Sequence, residues 1–312
     1  MAQDLMTPYK TRELPISVHT KLAGLIGWPL GHSASAVMHN DAYAAMGLDA
    51  IYLLLPVPPD RLADELRSIE VMGFMGCNVT IPHKVAVKEM MDELHPSSAE
   101  SGAVNTVLFS GGRRIGFNTD GTGFVRAMRE KGGFDPANKV CLMIGAGGAA
   151  RGVASALAIE GTCRFIIANR SEEYYLAEDL AKDMNAIRPK IACSIVLNNE
   201  NVKEALAEAD FIVHATRLGM SPNDETVAFD TSLLSARHFV CDVVYSPRET
   251  RLLREAAACG CKTLDGMWML VYQGAEAIRI WTGIEPPVSV MAAGCERFLR
   301  NTIKRSQAQE YA

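Results

Sequence analysis

The chain has 312 residues, which at roughly 150 residues per domain predicts two domains. Its composition, 48% hydrophobic and 21% charged, is that of a globular protein and argues against a disordered or coiled-coil chain. With 36 acidic against 31 basic residues the net charge is −5, so no overall positive field attracts nucleic acid or an anionic membrane surface.

The N-terminus and the most apolar stretch argue against export and membrane insertion. Residues 140–161 are the most apolar stretch, but Arg151 and several glycines interrupt it well short of the ~18 apolar residues that a spanning helix needs. Residues 1–21 include charged residues such as Asp4 and Lys10, and they lack the apolar core of a secretory signal. We therefore expect a cytoplasmic protein with no membrane partner.

The eight cysteines and seven histidines show no metal-binding spacing. Cys259 and Cys261 lie close together, but the sequence contains no C-x-x-C, H-x-H or H-E-x-x-H pattern. We expect reduced, mostly buried thiols and no metal.

Apolar runs of strand length alternate with segments of helical periodicity, which predicts an α/β architecture with mostly parallel sheets. In the first half we predict strands at residues 22–27, 51–57 and 75–80, helices at 35–46, 60–71 and 85–94, and a hairpin of strands 103–109 and 114–118. In the second half we predict a helix at 121–131, strands at 140–144, 165–168, 191–197, 211–215 and 239–245, and helices at 267–282 and 289–303. Gly111 and Gly112 accept the positive φ of a hairpin turn, so the first sheet should contain an antiparallel element.

A glycine-rich turn follows the predicted strand 140–144, with Gly145, Gly147 and Ala150 in the pattern G-x-G-x-x-G/A. The first glycine allows a tight turn, the second lets the backbone approach a diphosphate, and Ala150 lets helix and strand pack closely. A βα turn that serves packing alone is the other interpretation. The preceding buried strand favours a dinucleotide site.

Two charged residues follow the next predicted strand, where a dinucleotide fold places the adenosine ribose. Arg170 would stack on adenine or meet the 2′-phosphate of NADP, whereas Glu172 would accept a hydrogen bond from the free 2′-hydroxyl of NAD. Both are also common surface residues. At this point the residues leave NAD and NADP open.

Three polar segments, residues 27–35, 76–84 and 103–123, lie at the carboxyl ends of predicted strands or between the two halves. Open α/β sheets bind ligands at that edge. Taken singly, each residue has a local interpretation, because a serine can cap a helix, Asn105 can complete a turn and Lys84 can begin a solvated helix. The ordered set favours one site.

The same segments carry the motifs H-S-x-S at 32–35, N-V-T-x-P-x-K at 78–84, V-N-T at 104–106 and N-T-D-G at 118–121. In this order they closely resemble the shikimate dehydrogenase family, from about residue 21 to about residue 299. The resemblance implies two α/β domains with a cleft between them. Residues 1–122 and 266–312 would form a mostly parallel-sheet substrate domain, and residues 123–265 an inserted Rossmann NAD(P)-binding domain.

The resemblance also implies roles for individual residues. Lys84 would be the catalytic acid/base, with Asp120 as its hydrogen-bonding partner, and Ser33 and Ser35 would hold the substrate carboxylate. The residues expected to contact the rest of the substrate are Thr80, Lys84, Asn105, Asp120, Tyr245 and Gln273. The residues expected to line the cofactor are Gly145, Ala146, Gly147, Gly148, Ala149, Asn169, Arg170, Ser171, Glu172, Thr216, Val243 and Gly266.

The implied reaction is NAD(P)-dependent interconversion of shikimate and 3-dehydroshikimate, and of quinate and 3-dehydroquinate, by hydride transfer with Lys84 as acid/base. A lysine beside a carboxylate stays charged at neutral pH, so oxidation should speed up as the pH rises. A dehydrogenase of another cyclic hydroxy acid such as aminoshikimate, and a non-catalytic relative that senses cofactor or metabolite, stay open. The expected partner is a small-molecule substrate, nucleic acid is not expected, and a homodimer stays open.

Two positions depart from the family's pattern. Ala36 stands where proline usually follows H-S-x-S, which loosens the helix start without removing a substrate contact. Tyr174 stands where NADP-preferring members commonly carry a second basic residue, and Glu172 would repel a 2′-phosphate. We therefore expect NAD, or the use of both cofactors, rather than strict NADP. The same departure resembles the quinate/shikimate branch of the family.

Overall fold

The computed structural model describes residues 16–30, 33–221 and 223–310, and for residues 302–310 it describes the backbone alone. Two six-stranded sheets, each covered by helices, make up the fold. The predicted α/β class is confirmed. Residues 1–15, which contribute to the argument against an export signal, and His32 of the H-S-x-S motif lie outside the described residues.

The first sheet is built from the N-terminal part of the chain. Its strands are β1 (Lys21–Gly27), β2 (Ala50–Pro56), β3 (Phe74–Val79), β4 (Glu93–Leu94), β5 (Thr106–Ser110) and β6 (Arg113–Phe117), and its helices are α1 (Ser35–Ala45), α2 (Leu62–Val71) and α3 (Pro96–Ser101). The strand order is β2-β1-β3-β5-β6-β4, with β1 parallel to both its neighbours and β5 antiparallel to both of its own. Gly111 and Gly112 have φ values of +59° and +73° in the β5–β6 turn, as a tight hairpin requires. The predicted antiparallel hairpin is confirmed.

The second sheet follows a helix, α4 (Asp120–Glu130). Its strands are β7 (Val140–Ile144), β8 (Arg164–Asn169), β9 (Ala192–Val196), β10 (Phe211–His214), β11 (Phe239–Asp242) and β12 (Lys262–Leu264), and its helices are α5 (Gly148–Ile159), α6 (Tyr174–Ile187), α7 (Asn199–Glu208) and α8 (Arg251–Ala258). All neighbours in the order β12-β11-β10-β7-β8-β9 are parallel. Met143 of β7 packs in the core on one face and Leu142 in the core on the other, which explains why the strand is apolar throughout. The order reverses between β7 and β10, and such sheets bind ligands beyond the carboxyl ends of these strands.

The chain ends with two helices, α9 (Gly266–Thr282) and α10 (Val288–Glu310). Helix α9 contributes Met267 to the core of the first sheet and Tyr272 to the core of the second, so it packs between them. Helix α4 lies against α9, and a Cβ on Gly123 of α4 would lie 2.5 Å from the backbone nitrogen of Gln273. This close approach brings Asp120, the first residue of α4, towards Gln273 of α9.

The structure corrects the prediction at several element boundaries. Residues 85–94 do not form a helix, because a 3₁₀ helix (Ala86–Met90) is followed by β4, which pairs in parallel with β6. Pro96 also confines His95 to extended backbone, with φ −65° and ψ 148°. Strand β5 begins at Thr106 rather than at residue 103, and β11 ends at Asp242, whose carboxylate accepts from the N–H of Val244 over 3.0 Å and turns the chain. The short elements α3 and β12 are not predicted by the sequence pattern.

Candidate active site

A lysine and an aspartate form the centre of the site. Lys84 lies a few residues after β3, and Asp120 is the first residue of α4. The Nζ atom of Lys84 lies 2.5 Å from Oδ2 of Asp120, and the two side chains are 13% and 5% exposed. At this separation the carboxylate accepts a hydrogen bond from the ammonium and holds it in one place. An ammonium held in this way can donate a proton to an oxygen atom beside it.

Asn105 connects this pair to α9. Its side-chain amide donates to Oδ1 of Asp120 over 2.9 Å and to Oε1 of Gln273 over 3.4 Å. Its side-chain oxygen accepts from the backbone N–H of Thr119 over 2.7 Å. Asn105 therefore holds one carboxylate oxygen of Asp120 and leaves the other for Lys84. The predicted residues Lys84, Asp120, Asn105 and Gln273 meet in one hydrogen-bonded group, which we name the Lys84 cluster.

Behind the Lys84 cluster lies a layer of buried polar side chains to which the motifs assign no role. Asn78 donates to Oγ1 of Thr106 over 2.9 Å and accepts from the hydroxyl of Tyr52 over 2.7 Å. Thr106 in turn donates to Oδ1 of Asn105 over 3.0 Å. Burial raises the pKa of Tyr52, and a side-chain hydrogen bond with Ser35 opposes that shift. A line of hydrogen bonds thus runs from Ser35 to Asn105, and its sequence signals are Asn78 in the N-V-T motif and a tyrosine in an apolar strand.

The other predicted substrate residues of the first sheet lie at the same edge. Ser33 and Ser35 lie at the N-terminus of α1, where Oγ of Ser33 accepts from the N–H of Ser35 over 3.2 Å. Thr80 directly follows β3, and its methyl group lies against Gly27 at the end of β1. Parallel strands end at one edge of a sheet, so these residues and Lys84 share it. Among the described residues, no hydrogen bond between side chains joins Ser33 or Thr80 directly to Lys84.

The nucleotide turn follows β7. Gly145 has φ +99°, which favours glycine, and a Cβ there would lie 2.7 Å from Cγ2 of Thr216. Gly147 caps the N-terminus of α5, and apart from its neighbours in the chain no atom of the described residues lies within 4 Å of the position that its Cβ would occupy. The predicted residues Ala146, Gly148 and Ala149 complete the turn. Open space over a helix N-terminus fits a diphosphate, so the residues present fit the predicted dinucleotide.

The Lys84 cluster lies beside this turn. A Cβ on Gly148 would lie 3.4 Å from Cβ and 3.5 Å from Cδ of Lys84. One helical turn further on, a Cβ on Gly152 would lie 2.6 Å from Oδ1 of Asn118, which accepts from the N–H of Asp120 over 3.1 Å. Gly148 therefore lets α5 approach Lys84, and Gly152 lets it approach Asn118, which supports Asp120.

The predicted ribose residues follow β8. The side-chain amide of Asn169 donates to the carbonyl of Glu173 over 3.0 Å and closes this turn. Arg170 is exposed, and its guanidinium lies 2.5 Å from the Glu173 carboxylate. Ser171 and Glu172 are exposed in a 3₁₀ helix (Ser171–Glu173). The positive charge of Arg170 is therefore already paired, with a second carboxylate nearby.

The remaining predicted cofactor residues follow β10 and β11. Thr216 lies against Gly145, two residues past the end of β10. The carbonyl oxygen of Val243 would lie 2.3 Å from a Cβ on Gly266, so this contact admits only glycine. Tyr245 packs against the core of the first sheet, and burial raises its pKa to about 12. The loop after β11 thus reaches from the second sheet to the core of the first.

The described ranges lack two kinds of feature, a metal site and a membrane-spanning helix. These residues contain no group of three or more His, Cys, Asp or Glu that could hold a metal ion. None of their helices has both the length and the apolar character needed to cross a membrane.

Family models match three parts of the chain. The models described as "Shikimate dehydrogenase substrate binding domain", "Shikimate / quinate 5-dehydrogenase" and "Shikimate 5'-dehydrogenase C-terminal domain" match residues 25–107, 128–222 and 266–293. A shikimate dehydrogenase (NADP(+)) of Methanopyrus kandleri is 45% identical over 286 residues, which cover 91% of this chain and 98% of that protein. The chain belongs to the shikimate dehydrogenase family.

Solved structures of family members agree with this assignment. Shikimate 5-dehydrogenase from Listeria monocytogenes, in complex with shikimate and NAD, has a TM-score of 0.83 and 38% identity, and the match covers 88% of this chain and 96% of that one. Quinate dehydrogenase from Corynebacterium glutamicum, in complex with NAD, has a TM-score of 0.81 and 35% identity, with 88% and 98% covered. The predictions of the family, the fold class and a dehydrogenase are confirmed. The roles of the individual site residues stay predictions.

Proposed function

We propose that this member of the shikimate dehydrogenase family interconverts shikimate and 3-dehydroshikimate with NAD or NADP, and quinate and 3-dehydroquinate as a second pair. The position of Lys84 carries the proposal. Its ammonium lies 2.5 Å from Asp120, and its Cβ lies 3.4 Å from the position a Cβ would take on Gly148 of the nucleotide turn. An acid/base for a hydroxyl and a site for a hydride acceptor therefore lie side by side, as oxidation of an alcohol requires.

The substrate side supplies groups for a small polyhydroxy acid. The Lys84 cluster offers ammonium, carboxylate and amide groups to neighbouring ring hydroxyls. Oγ of Ser33 accepts from the N–H of Ser35 at the start of α1, and the hydroxyl hydrogen of Ser33 can be donated to the substrate carboxylate. A site built to bond hydroxyls rejects analogues that lack them, because its own polar groups are then left without partners.

Proton transfer is assigned to Lys84. The dinucleotide, when bound, accepts or returns a hydride at its nicotinamide ring. Lys84 donates its proton to the carbonyl oxygen during reduction, and it must first lose that proton to accept one during oxidation. Asp120 holds the ammonium at the reacting oxygen, and Asn105 holds Asp120.

The test is a kinetic panel of shikimate or quinate with NAD or NADP, followed through the absorbance of the reduced cofactor. We expect turnover of shikimate, slower turnover of quinate, and production of the 3-dehydro acids. Binding of cofactor and acid without turnover would instead support a metabolite sensor. Turnover of aminoshikimate alone would support the other cyclic hydroxy acid dehydrogenase.

We also propose that NAD is preferred over NADP. Arg170 is already paired with Glu173, and Glu172 is exposed beside it, so a 2′-phosphate would meet one neutralised cation and two carboxylates. The hydrogen bond from Arg170 lowers the pKa of Glu173, which keeps that carboxylate charged at neutral pH. The double variant Glu172→Gln, Glu173→Gln should raise kcat/KM for NADP roughly tenfold and leave NAD nearly unchanged. Glu178→Gln on α6 is the control, and a wild-type preference for NADP would overturn the proposal.

We propose the domain division implied by the family, with residues 1–122 and 266–312 in one domain and 123–265 in the other. It is supported by the contribution of α9 to the core of the first sheet, although residue 122 falls inside α4. Native-state hydrogen exchange should reveal two cooperative units with these bounds. A cytoplasmic location and a homodimer are further proposals, of which sedimentation of the purified chain tests the second.

A further inference from the structure

A buried carboxylate, an imidazole and a hydroxyl form a line at the ligand-binding edge of the second sheet. Oδ1 of Asp242 at the end of β11 lies 2.9 Å from Nδ1 of His214 at the end of β10. Nε2 of His214 lies 2.6 Å from Oγ1 of Thr216. His214 and Asp242 are each 2% exposed, and the proposed chemistry gives neither of them a role.

The direction of these hydrogen bonds follows from the partners. A carboxylate only accepts, so Nδ1 of His214 carries the hydrogen atom that it donates to Asp242. With the ring hydrogen on Nδ1, Nε2 is the acceptor, and the hydroxyl of Thr216 donates to it. The oxygen of Thr216 also accepts from the N–H of Leu218 over 3.1 Å. Thr216 therefore offers a ligand one acceptor lone pair and no donor.

The same pair ties together the two loops that carry predicted cofactor residues. Oδ1 of Asp242 accepts from the N–H of Val244 over 3.0 Å, at the start of the loop after β11. The backbone carbonyl of His214 accepts from the N–H of Val243 over 2.9 Å. Thr216, in the loop after β10, depends on the ring of the same histidine. One buried hydrogen-bonded pair, His214 and Asp242, thus shapes both loops.

These loops lie on the side of β7 opposite the ribose turn. β8, which leads to Asn169 and Arg170, flanks β7 on one side, and β10 and β11 lie on the other. Each half of a doubly wound sheet binds one mononucleotide, so the half with β8 takes the adenosine and the half with β10 takes the nicotinamide. The methyl group of Thr216 lies against Gly145, at the boundary between the halves.

We propose that His214 is a positioning residue for the nicotinamide half of the cofactor. Together with Asp242 it orients the hydroxyl of Thr216, whose free lone pair accepts a hydrogen bond from the carboxamide N–H of the nicotinamide. His214 itself acts through Thr216. The inference rests on the proposed function, because it requires a nicotinamide dinucleotide in the second sheet.

The experiment compares wild type, Thr216→Val, His214→Asn and the double variant. Valine keeps the methyl group against Gly145 and replaces the hydroxyl with a second methyl group, which cannot form a hydrogen bond. We measure the affinities for NADH, for ADP-ribose, which lacks the nicotinamide, and for the reduced acetylpyridine analogue of NAD, which lacks the carboxamide N–H. We expect each single variant to weaken NADH binding roughly tenfold, to leave ADP-ribose binding unchanged, and to abolish the wild type's preference for NADH over the acetylpyridine analogue. The double variant should bind NADH no more weakly than the single variants.

The outcomes separate this inference from the proposed function. If wild type binds neither NADH nor NADPH, the proposed function fails, and if it binds NADPH alone, the same comparison is made with NADPH. If wild type binds NADH and Thr216→Val binds it equally well, or if the two losses add, only the role of His214 fails. An equal loss of ADP-ribose affinity would show general disruption and would also overturn it. Should His214→Asn not fold, Asp242→Asn, which keeps the volume and removes the charge that orients the imidazole, takes its place in the same assays.

Discussion

The two sides of the candidate site differ in the kinds of residue that form them. On the substrate side, amide, hydroxyl and charged side chains bond to one another, as Asn105 does when it bridges Asp120 and Gln273. On the nucleotide side, the key positions are glycines. Gly145 has no room for a Cβ, and Gly147 keeps open the space that its Cβ would occupy.

This difference determines how each side can be damaged. On the substrate side, deleting a polar group leaves its buried partner without a hydrogen bond, so the loss falls on affinity, rate and stability together. On the nucleotide side, a Gly→Ala substitution adds a Cβ. It lowers stability where the Cβ meets protein atoms and lowers cofactor affinity where the Cβ occupies the cofactor's space. The two sides should therefore respond to opposite kinds of substitution.

The largest effect is expected for Lys84→Ala on the substrate side. Loss of the acid/base should lower kcat by roughly a thousandfold, within the range known for general acid–base groups. The affinity for NADH should change little, because the atoms of Lys84 nearest to Gly148 belong to its aliphatic stem. Steady-state kinetics and fluorescence titration with NADH measure the two quantities.

Lys88→Ala is the matched control for Lys84→Ala. Lys88 lies four residues later, is 31% exposed at its side chain, and lies 4.0 Å from Glu89. It should keep wild-type turnover. If Lys84→Ala also kept most of its turnover, the assignment of the acid/base would be wrong, and the substrate side would not be shown to carry the catalytic group.

The second prediction concerns acid, to which a side built from buried polar groups should be sensitive. Burial lowers the pKa of His39 to about 4, and its hydrogen bond to the carbonyl of Ser35 opposes this shift. The unfolded chain takes up this proton near pH 6.5, whereas the fold does not until about pH 4. The free energy of unfolding therefore falls as the pH drops from 6.5 towards 4, because in that range the unfolded chain is protonated at this histidine and the folded chain is not. Between neutral pH and pH ~4.5 the loss amounts to roughly 2 to 3 kcal/mol.

Urea unfolding at several pH values measures this loss. His39→Asn should lose less stability than wild type on acidification, whereas His19→Asn, at an exposed histidine, should follow wild type. Parallel curves for wild type and His39→Asn would show that His39 is not the group that resists protonation.

The third prediction compares two glycines of the nucleotide turn. Gly145→Ala places a Cβ 2.7 Å from Thr216 and 2.9 Å from the carbonyl oxygen of Ala215, at a φ of +99°. It should destabilise the fold by about 1 to 3 kcal/mol. Gly147→Ala meets no atom within 4 Å, so its stability should equal that of wild type, while the KM for NAD rises roughly tenfold.

Each glycine variant is the control for the other. Thermal unfolding separates them by stability, and NADH titration separates them by binding. If Gly147→Ala bound NADH like wild type, the open space at the start of α5 would not receive the diphosphate. If Gly145→Ala unfolded at the wild-type temperature, the turn would be able to relax.

The contrast between the two sides also explains what the sequence could reveal. The turn at Gly145 and Gly147 is predictable because its backbone geometry demands glycine at a fixed local spacing. The contact between Asn105 and Gln273 joins residues 168 positions apart, so no local pattern contains it and only the family resemblance suggested it. No local pattern contains the pairing of β4 with β6 or that of His214 with Asp242, 28 residues away, and neither pairing was predicted. A local backbone requirement for glycine can be predicted from a sequence, whereas a contact between residues far apart in the chain cannot.

The smallest effect is expected for Tyr52→Phe, which tests how far damage spreads within the substrate side. The change removes the hydroxyl that donates to Asn78 over 2.7 Å, and leaves a buried amide oxygen without that donor. We expect a loss of about 1 kcal/mol of stability. Because Asn78 supports Asn105 through Thr106, kcat/KM for shikimate should also fall a few-fold.

The affinity of Tyr52→Phe for NADH decides whether the two sides are independent. Glycine geometry does not depend on the polar network, so NADH should bind as it does to wild type. Tyr175→Phe, at a tyrosine that is 58% exposed, should change neither stability nor kinetics. If Tyr52→Phe weakened NADH binding as much as it lowered kcat/KM for shikimate, the two sides would not be independent. The contact between Lys84 and Gly148 would then couple them.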